Sequence, residues 1–281
     1  MKNFDFHCHS AHSDGTLSPK ELAYRAKANG VELWAMTDHD TLSGCEEAYE
    51  AASSFGLPFV TGVEISISYL DETVHMVGLG VDPKNAALLS GLQTVRSGRD
   101  IRAQAMADDL AKVGIPNAFE GALKYAGNPN LISRSHFARY MVEIGVCQNV
   151  SDVFRRYLAH GKPGFIPHQW ASLEDAVAWV RDAGGVCVIA HPARYKFTAN
   201  EERSLLASFQ QLGGTALEVV TGNHSPSDVK KYADLAREFG FAASRGSDFH
   251  SPNESRLDLG CLPPLPESLT PVWELLEDKI H

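Results

Sequence analysis

Short apolar runs alternate with helix-like stretches at both ends of this chain. Phe4–Phe6 is a brief extended run, and Leu33–Met36 and Phe59–Glu64 are apolar enough for buried strands. The stretches between them carry helix signals. Ser18-Pro19-Lys20-Glu21 predicts a capped start, with Pro19 in the first turn, Glu21 closing a capping box and Gly30 as the stop. Ser43-Gly44-Cys45-Glu46 opens a second helix that Gly56 ends. Ile65–Tyr69 and Thr73–Val77 flank Leu70-Asp71-Glu72 as a hairpin.

The alternation resumes late in the chain. A helix over Leu173–Ala183 leads to a strand at Val186–Ala190, and a helix near Glu201–Leu212 leads to one at Ala216–Val220. A helix capped at Ser225 and stopped at Gly240 leads to a strand at Phe241–Ser244. From Pro263 the tail reads as a surface wrap with one last helix. Repeated strand–loop–helix units imply a parallel sheet or barrel. Residues 84–159 lack a strand pattern and carry helices at Ile101–Val113, Phe119–Tyr125, Ser135–Ile144 and Val150–Leu158. The expected organisation is an α/β barrel from residues 1–83 and 160–281, interrupted by a helical insertion at 84–159.

Polar clusters follow the apolar strands. His7 and His9 follow the first, Asp38 and His39 the second, and Glu64 ends the third. His75 lies in the hairpin, His191 follows Val186–Ala190, and Asp248 and His250 follow Phe241–Ser244. In a β/α barrel the C-terminal strand ends share one face, so residues distant in sequence converge there. Positions i and i+2 of extended chain project to one side. His7 with His9, and Asp248 with His250, can therefore each grip a cation, with Asp14 in the loop after the first pair. Imidazoles with carboxylates suit zinc, manganese or iron better than magnesium or calcium.

Composition adds two constraints. No run of 18 apolar residues occurs, the N-terminus lacks a leader-like apolar segment, and five scattered cysteines have no CxxC spacing. These features predict a cytoplasmic protein with reduced thiols and no membrane partner. The formal charge of −10 argues against a polyanionic partner, but residues 95–165 carry ten basic and six acidic side chains. The insertion is therefore basic within an acidic body.

These motifs resemble the polymerase and histidinol phosphatase (PHP) family. The match runs through Phe6-His7-Cys8-His9-Ser10, Ser13-Asp14-Gly15, Thr37-Asp38-His39-Asp40, Gly62-Val63-Glu64-Ile65-Ser66, His75, Ala190-His191-Pro192 and Gly246-Ser247-Asp248-Phe249-His250. The resemblance implies a distorted (β/α)7 barrel and three divalent ions, manganese first, with zinc or iron as alternatives. Their ligands would be His7, His9, Asp14, His39, Glu64, His75, His191, Asp248 and His250. The implied grouping sets His7, His9, Glu64 and Asp248 on one ion. Glu64 bridges to a second ion with His75 and His191, and Asp14, His39 and His250 hold the third.

The insertion resembles that of the stand-alone PHP phosphoesterases, which include 3′,5′-nucleoside bisphosphate phosphatases and 5′-to-3′ exoribonucleases. Ser133-Arg134-Ser135-His136-Phe137-Ala138-Arg139 is similar to an Arg-Pro-His-Ile-Ala-Arg stretch of that subgroup, with Ser135 in place of proline. The implied reaction is removal of the 3′-phosphate from nucleoside 3′,5′-bisphosphates by a metal-bridging hydroxide. Short 5′-phosphorylated RNA is a further expected substrate, and duplex nucleic acid is not. Asp14 and His191 are candidate proton-transfer groups. Arg134 could hold a second phosphate bidentately, with Ser135, His136 or Lys162 assisting and Asn223 and His224 at the rim. Trp170 is expected to pack and not to recognise substrate. Alternatives on the same residues are histidinol phosphate phosphatase, a non-catalytic metal-binding module, or hydrolysis of a C–N bond.

Overall fold

Seven strands pair side by side in chain order in the computed structural model, which describes residues 2–281. They are β1 (Phe4–Asp5), β2 (Leu33–Met36), β3 (Phe59–Tyr69), β4 (Glu72–Leu79), β5 (Val186–Ile189), β6 (Ala216–Thr221) and β7 (Ala242–Gly246). Neighbours run parallel except β4, which is antiparallel to both β3 and β5. The seam between β7 and β1 is closed just beyond the strands. There Asp248 N–H donates to His7 O at 2.8 Å and His9 N–H to Phe249 O at 2.8 Å. The result is the distorted seven-stranded barrel that the resemblance implied.

Ten α-helices accompany the strands among the described residues. α1 (Pro19–Ala28) starts on the expected capping box, with Ser18 and Glu21 bonded reciprocally, and α2 (Cys45–Ser54) packs beside it. α3 (Ala86–Arg96) leaves β4. α4 (Arg99–Lys112), α5 (Ala118–Leu123), α6 (Arg134–Glu143) and α7 (Val150–Val153), which runs on as a π turn over Phe154–Leu158, follow in the insertion. α8 (Leu173–Asp182), α9 (Ala199–Leu212) and α10 (Pro226–Phe239) complete the late crossovers. Gly240 ends α10 at φ +68°, a conformation that costs glycine little.

Strand alternation builds two layers of core. Along β2, Trp34 and Met36 join Leu22, Ala26, Ala48 and Ala52 of α1 and α2. Leu33 and Ala35 join Val60, Val77, Val188 and Ala216 of the other strands. The insertion has a cluster of its own, running from Ala103 through Phe137 and Met141 to Leu158.

Several elements differ from the sequence reading. Phe59–Glu64 and Ile65–Tyr69 form one strand, because β4 pairs with it from Tyr69↔Glu72 to Gly62↔Leu79. Glu64 therefore projects from mid-strand and does not end one. α3 gave no recognised signal, yet Asn85 caps it through Leu88 N–H at 3.0 Å. Its Leu88 and Leu92 are buried in the largest barrel-side cluster, so the stretch 84–159 divides between two cores. The tail forms two short 3₁₀ turns, Val272–Leu275 and Glu277–Lys279, instead of one helix. Val272 and Leu276 plug the barrel against Phe4 and Phe6. No helix among the described residues is long and apolar enough to cross a membrane.

Candidate metal centre

Nine imidazole and carboxylate side chains meet at the mouth of the barrel. His7 and His9 leave β1 in extended chain with their Nε2 atoms 3.2 Å apart. Cys8, between them, turns the other way and receives Trp34 Nε1–H at 3.2 Å. Glu64 is the hub. Its Oε1 lies 3.2 Å from His7 Nε2, 3.0 Å from His75 Nδ1 and 2.9 Å from His191 Nε2. Its Oε2 lies 3.3 Å from His9 Nε2 and 2.9 Å from His39 Nδ1. Asp248 Oδ1 is 3.3 Å from His9 Nε2, and Asp14 Oδ1 is 3.3 Å from His250 Nε2.

Four sets of donor atoms are close enough to share an ion. They are His9, Asp14, His39 and His250; His7, His9 and Asp248; His7, Glu64 and His191; and His39, Glu64 and His75. All nine expected ligands fall in these sets. The sets differ from the implied grouping: His75 gathers with His39 and His191 with His7, although both rings approach the same Glu64 oxygen, while His9 also joins Asp14, His39 and His250, and Glu64 is absent from the set of His7, His9 and Asp248.

The donor chemistry fits divalent cations. Asp14 Oδ1, His39 Nδ1, Glu64 Oε2 and Asp248 Oδ1 are buried without a well-directed hydrogen bond to any described residue. Buried polar atoms left so are costly, and a shared cation satisfies several at once. Charge points the same way. Burial alone would lower His7 and His9, but the surrounding carboxylates overcome it, holding His7 well above its usual range and His9 at about 10. Burial would raise Glu64 and Asp248, yet imidazoles around Glu64, and Arg194 with His7 beside Asp248, keep both well below the usual carboxylate range. Burial, helped by Arg194, lowers His191 to about 4, so its ring is neutral and can donate a lone pair.

A layer behind the donors fixes their orientation. Glu218 Oε1 takes His7 Nδ1 at 2.7 Å, and its Oε2 accepts His191 N–H at 2.6 Å. Tyr195 OH lies 3.2 Å from His191 Nδ1 and accepts His75 N–H at 2.8 Å. Asp38 gathers the loop to Asp14 by accepting Ser10 N–H at 2.7 Å and Ser13 Oγ–H at 2.5 Å. Such partners set ring tautomer and ligand basicity. Gly246 is required here, since a Cβ on it would lie 2.2 Å from His7 Cβ.

The donors open onto a cleft. Asp14, His39, His75 and His250 line one wall, and Arg99, Arg102, Arg134 and Arg194 line the remainder with Ser135 and Trp170. Arg99 is paired with Asp40 and Arg194 with Asp248, whereas Arg102 and Arg134 are crowded by the other cations. Burial first, then Arg134 and Arg99, lowers Arg102 to about 9, and burial with Arg99 and Arg194 lowers Arg134. The Arg99 and Arg102 guanidiniums sit over the Trp170 ring, at 4.7 and 5.4 Å from its centroid.

The insertion closes this cleft through α6. Ser133 Oγ–H donates to Asp14 Oδ2 at 3.2 Å, and Arg139 donates to Asp14 O at 2.7 Å while gripping both Glu254 oxygens at 2.8 Å. Arg134 and Ser135 face the cleft. His136 does not: it is fully buried, and its Nδ1 accepts Ser133 N–H at 3.0 Å as part of the helix cap. His224 is also turned inward, with Nδ1 on Val219 O at 2.9 Å and its ring stacked on Tyr232. Lys162 is exposed in a turn and is absent from the cleft lining. Asn223 lines an adjoining lobe, where its amide, once turned so that the oxygen faces the guanidinium, accepts from Arg194 at 2.5 and 3.1 Å.

Sequence reasoning missed Arg99, Arg102, Arg194, Glu218 and Tyr195, and it read Trp170 as packing alone. Glu218 did leave a signal, being a carboxylate inside the apolar run Ala216–Val220. Arg194 stands three residues after His191 in the same strand-end loop.

A family model described as the PHP domain matches residues 5–203. The 3′,5′-nucleoside bisphosphate phosphatase of Chromobacterium violaceum is 48% identical over 280 residues, covering 100% of this chain and 98% of that relative. The 5′-3′ exoribonuclease of Haemophilus influenzae is 41% identical over 273 residues, covering 97% of this chain and 98% of that relative. Among solved structures, an amidohydrolase from Chromobacterium violaceum with bound sulfate and no metal matches with a TM-score of 0.97 at 47% identity, over 99% of this chain and 97% of that one.

Proposed function

The chain belongs to the PHP-domain family, and on that premise we propose that it removes the 3′-phosphate from nucleoside 3′,5′-bisphosphates, releasing a 5′-nucleotide and inorganic phosphate. One observation carries this reading: a single cleft joins the exposed edge of the nine-donor cluster to four guanidiniums, of which Arg102 and Arg134 are crowded and have no carboxylate partner among the described residues. A monophosphate needs only the donors. Arginines that depress one another's pKa beside the donor cluster are relieved by a second anion. The similarity to a nucleoside bisphosphate phosphatase over the whole chain supports the same choice.

The nine donors would hold up to three divalent cations, manganese in the first instance. When bound, the cations neutralise phosphoryl oxygens and ease deprotonation of the attacking water. The residues of the chain orient and exclude. Arg134, with its guanidinium over the Phe154 ring, takes the 5′-phosphate, and Ser135 assists. Trp170, with the Arg99 and Arg102 guanidiniums over its ring, walls that end. Asp14 lines the cleft and so can pass the water proton to the departing 3′ oxygen. His191 is closed off behind Glu64 and Tyr195 and acts as a ligand only.

Manganese-loaded protein should release phosphate from adenosine 3′,5′-bisphosphate at least tenfold faster, by kcat/KM, than from histidinol phosphate. The reverse order would replace this reading with the histidinol phosphatase one.

A further inference from the structure

One turn of helix touches both ends of the cleft. Arg134 and Ser135, at the start of α6, face its arginine-lined end. Ser133, the residue before them, reaches the donor cluster instead. Its Oγ–H meets Asp14 Oδ2 at 3.2 Å, while Asp14 Oδ1 turns to His250 at 3.3 Å and His39 at 3.7 Å. The two oxygens of Asp14 are thus divided between the imidazoles of the barrel and the insertion.

The turn is closed around Ser133. Its N–H donates to His136 Nδ1 at 3.0 Å, and its Oγ accepts Ser135 N–H at 3.2 Å. With that lone pair engaged, the hydroxyl proton is left for the carboxylate, which can only accept. The insertion braces the same loop elsewhere. Arg139, further along α6, holds Asp14 O at 2.7 Å. Gly127 runs so close to the loop that a Cβ on it would fall 2.2 Å from Ala11 O. Ser133 is the contact of the insertion that meets a donor oxygen. The turn also has a reason to respond to substrate. Arg134 sits half-buried with Arg99 and Arg194, cations that oppose its charge. A phosphate arriving there relieves that repulsion and fixes the turn that carries Arg134.

We propose that α6 couples the second phosphate to the donor cluster: an anion seated at Arg134 and Ser135 locks the turn, and Ser133, a positioning residue, then holds Asp14 in its working orientation. This rests on the bisphosphate reading and deepens it. The remote phosphate raises the rate of the step itself, and does not merely anchor the nucleotide.

The test compares adenosine 3′,5′-bisphosphate with adenosine 3′-monophosphate on the manganese-loaded protein. The same ester bond breaks in both, and only the first fills the arginine end. The kcat of the bisphosphate should be about tenfold the higher, as expected for one hydrogen bond to a charged group. Ser133→Ala should bring that ratio of kcat values close to one, with the bisphosphate KM changed less than about threefold, and Ser133→Thr should restore it. Ser133→Gly, which an N-cap tolerates, replaces the alanine variant if that one does not fold. A second readout needs no turnover, because coupling between two sites is reciprocal. Saturating adenosine 5′-monophosphate should tighten manganese binding about threefold in the wild type and in Ser133→Thr, and not in Ser133→Ala. A tightening that persists in Ser133→Ala comes from phosphate touching the ions directly and would overturn the route through Ser133, as would a kcat ratio that survives the substitution. Equal kcat on the two wild-type substrates would overturn the coupling and leave the phosphatase reading standing. Failure on the bisphosphate itself would remove both.

Discussion

The barrel mouth and the insertion build one cleft by different physical means. The barrel contributes donors from its strands and the loops just beyond them, several held by a second polar group: Glu218 behind His7, Tyr195 behind His191, Asp38 behind the loop to Asp14. Its donors are buried, and several of their lone pairs lack a partner. The insertion contributes cations from helix faces, and it grips the centre through α6, by way of Ser133 and Arg139, and through α4, whose Arg99 pairs with Asp40 in the loop after β2. Donors on a closed sheet cannot move independently, whereas a helix docked on a loop can. The barrel should therefore decide whether chemistry occurs, and the insertion which phosphate ester receives it.

Glu64→Gln is the most severe way to break that division. One oxygen of Glu64 meets His7, His75 and His191, and the other meets His9 and His39. The amide replaces a charged acceptor by a neutral group with one donor end. Turnover should fall on the order of a thousandfold on every phosphoester. The bound manganese, measured by elemental analysis, should fall with it. A variant with full metal content and full activity would deny Glu64 its central place. Arg134→Ala should sharpen the division instead. It should cost about a hundredfold in kcat/KM on a 3′,5′-bisphosphate, or ~3 kcal/mol, and less than about threefold on an aryl phosphate. Equal losses on both substrates would show that the insertion shapes the chemical step itself.

The two regions also differed in how far they could be read from sequence. A donor on a barrel strand or in the loop just beyond it has its destination set by topology, and all nine expected donors meet at the mouth, although Glu64 and His75 sit within strands. Period-two alternation also sorted His7 and His9 from Cys8 correctly. On a helix the destination depends on rotation and on what packs behind. Arg134 and His136 are two positions apart in one motif, about 200° around the helix, and they go to the cleft and to the interior. Sequence offered both as substrate-binding. Arg99 and Trp170 come together across 71 residues only because the insertion returns to the barrel beside β4. No local pattern announces such a contact. α3 was missed for a similar reason, since its burial against α8 and not any stop signal defines it.

His136 turns the same contrast into a stability measurement. Its Nδ1 accepts Ser133 N–H, which requires the neutral ring. Burial, with Arg139 and Arg99 adding to it against an opposing pull from Asp14, lowers its pKa to about 4 from 6.5. The folded state therefore binds this proton less readily than the unfolded state. Stability from this group is complete above pH 6.5 and is lost as pH falls towards 4. Between pH 7 and pH 5 the loss is about 2 kcal/mol. His136→Gln keeps an acceptor at the third helical position, the residue type of an ordinary capping box, and does not titrate. In urea unfolding of the metal-free protein, the wild type should lose about 2 kcal/mol more than the variant over that interval. The other histidines cancel, being common to both. Parallel curves would mean that the ring protonates within the folded state, and that the insertion's helix cap yields more easily than its burial implies.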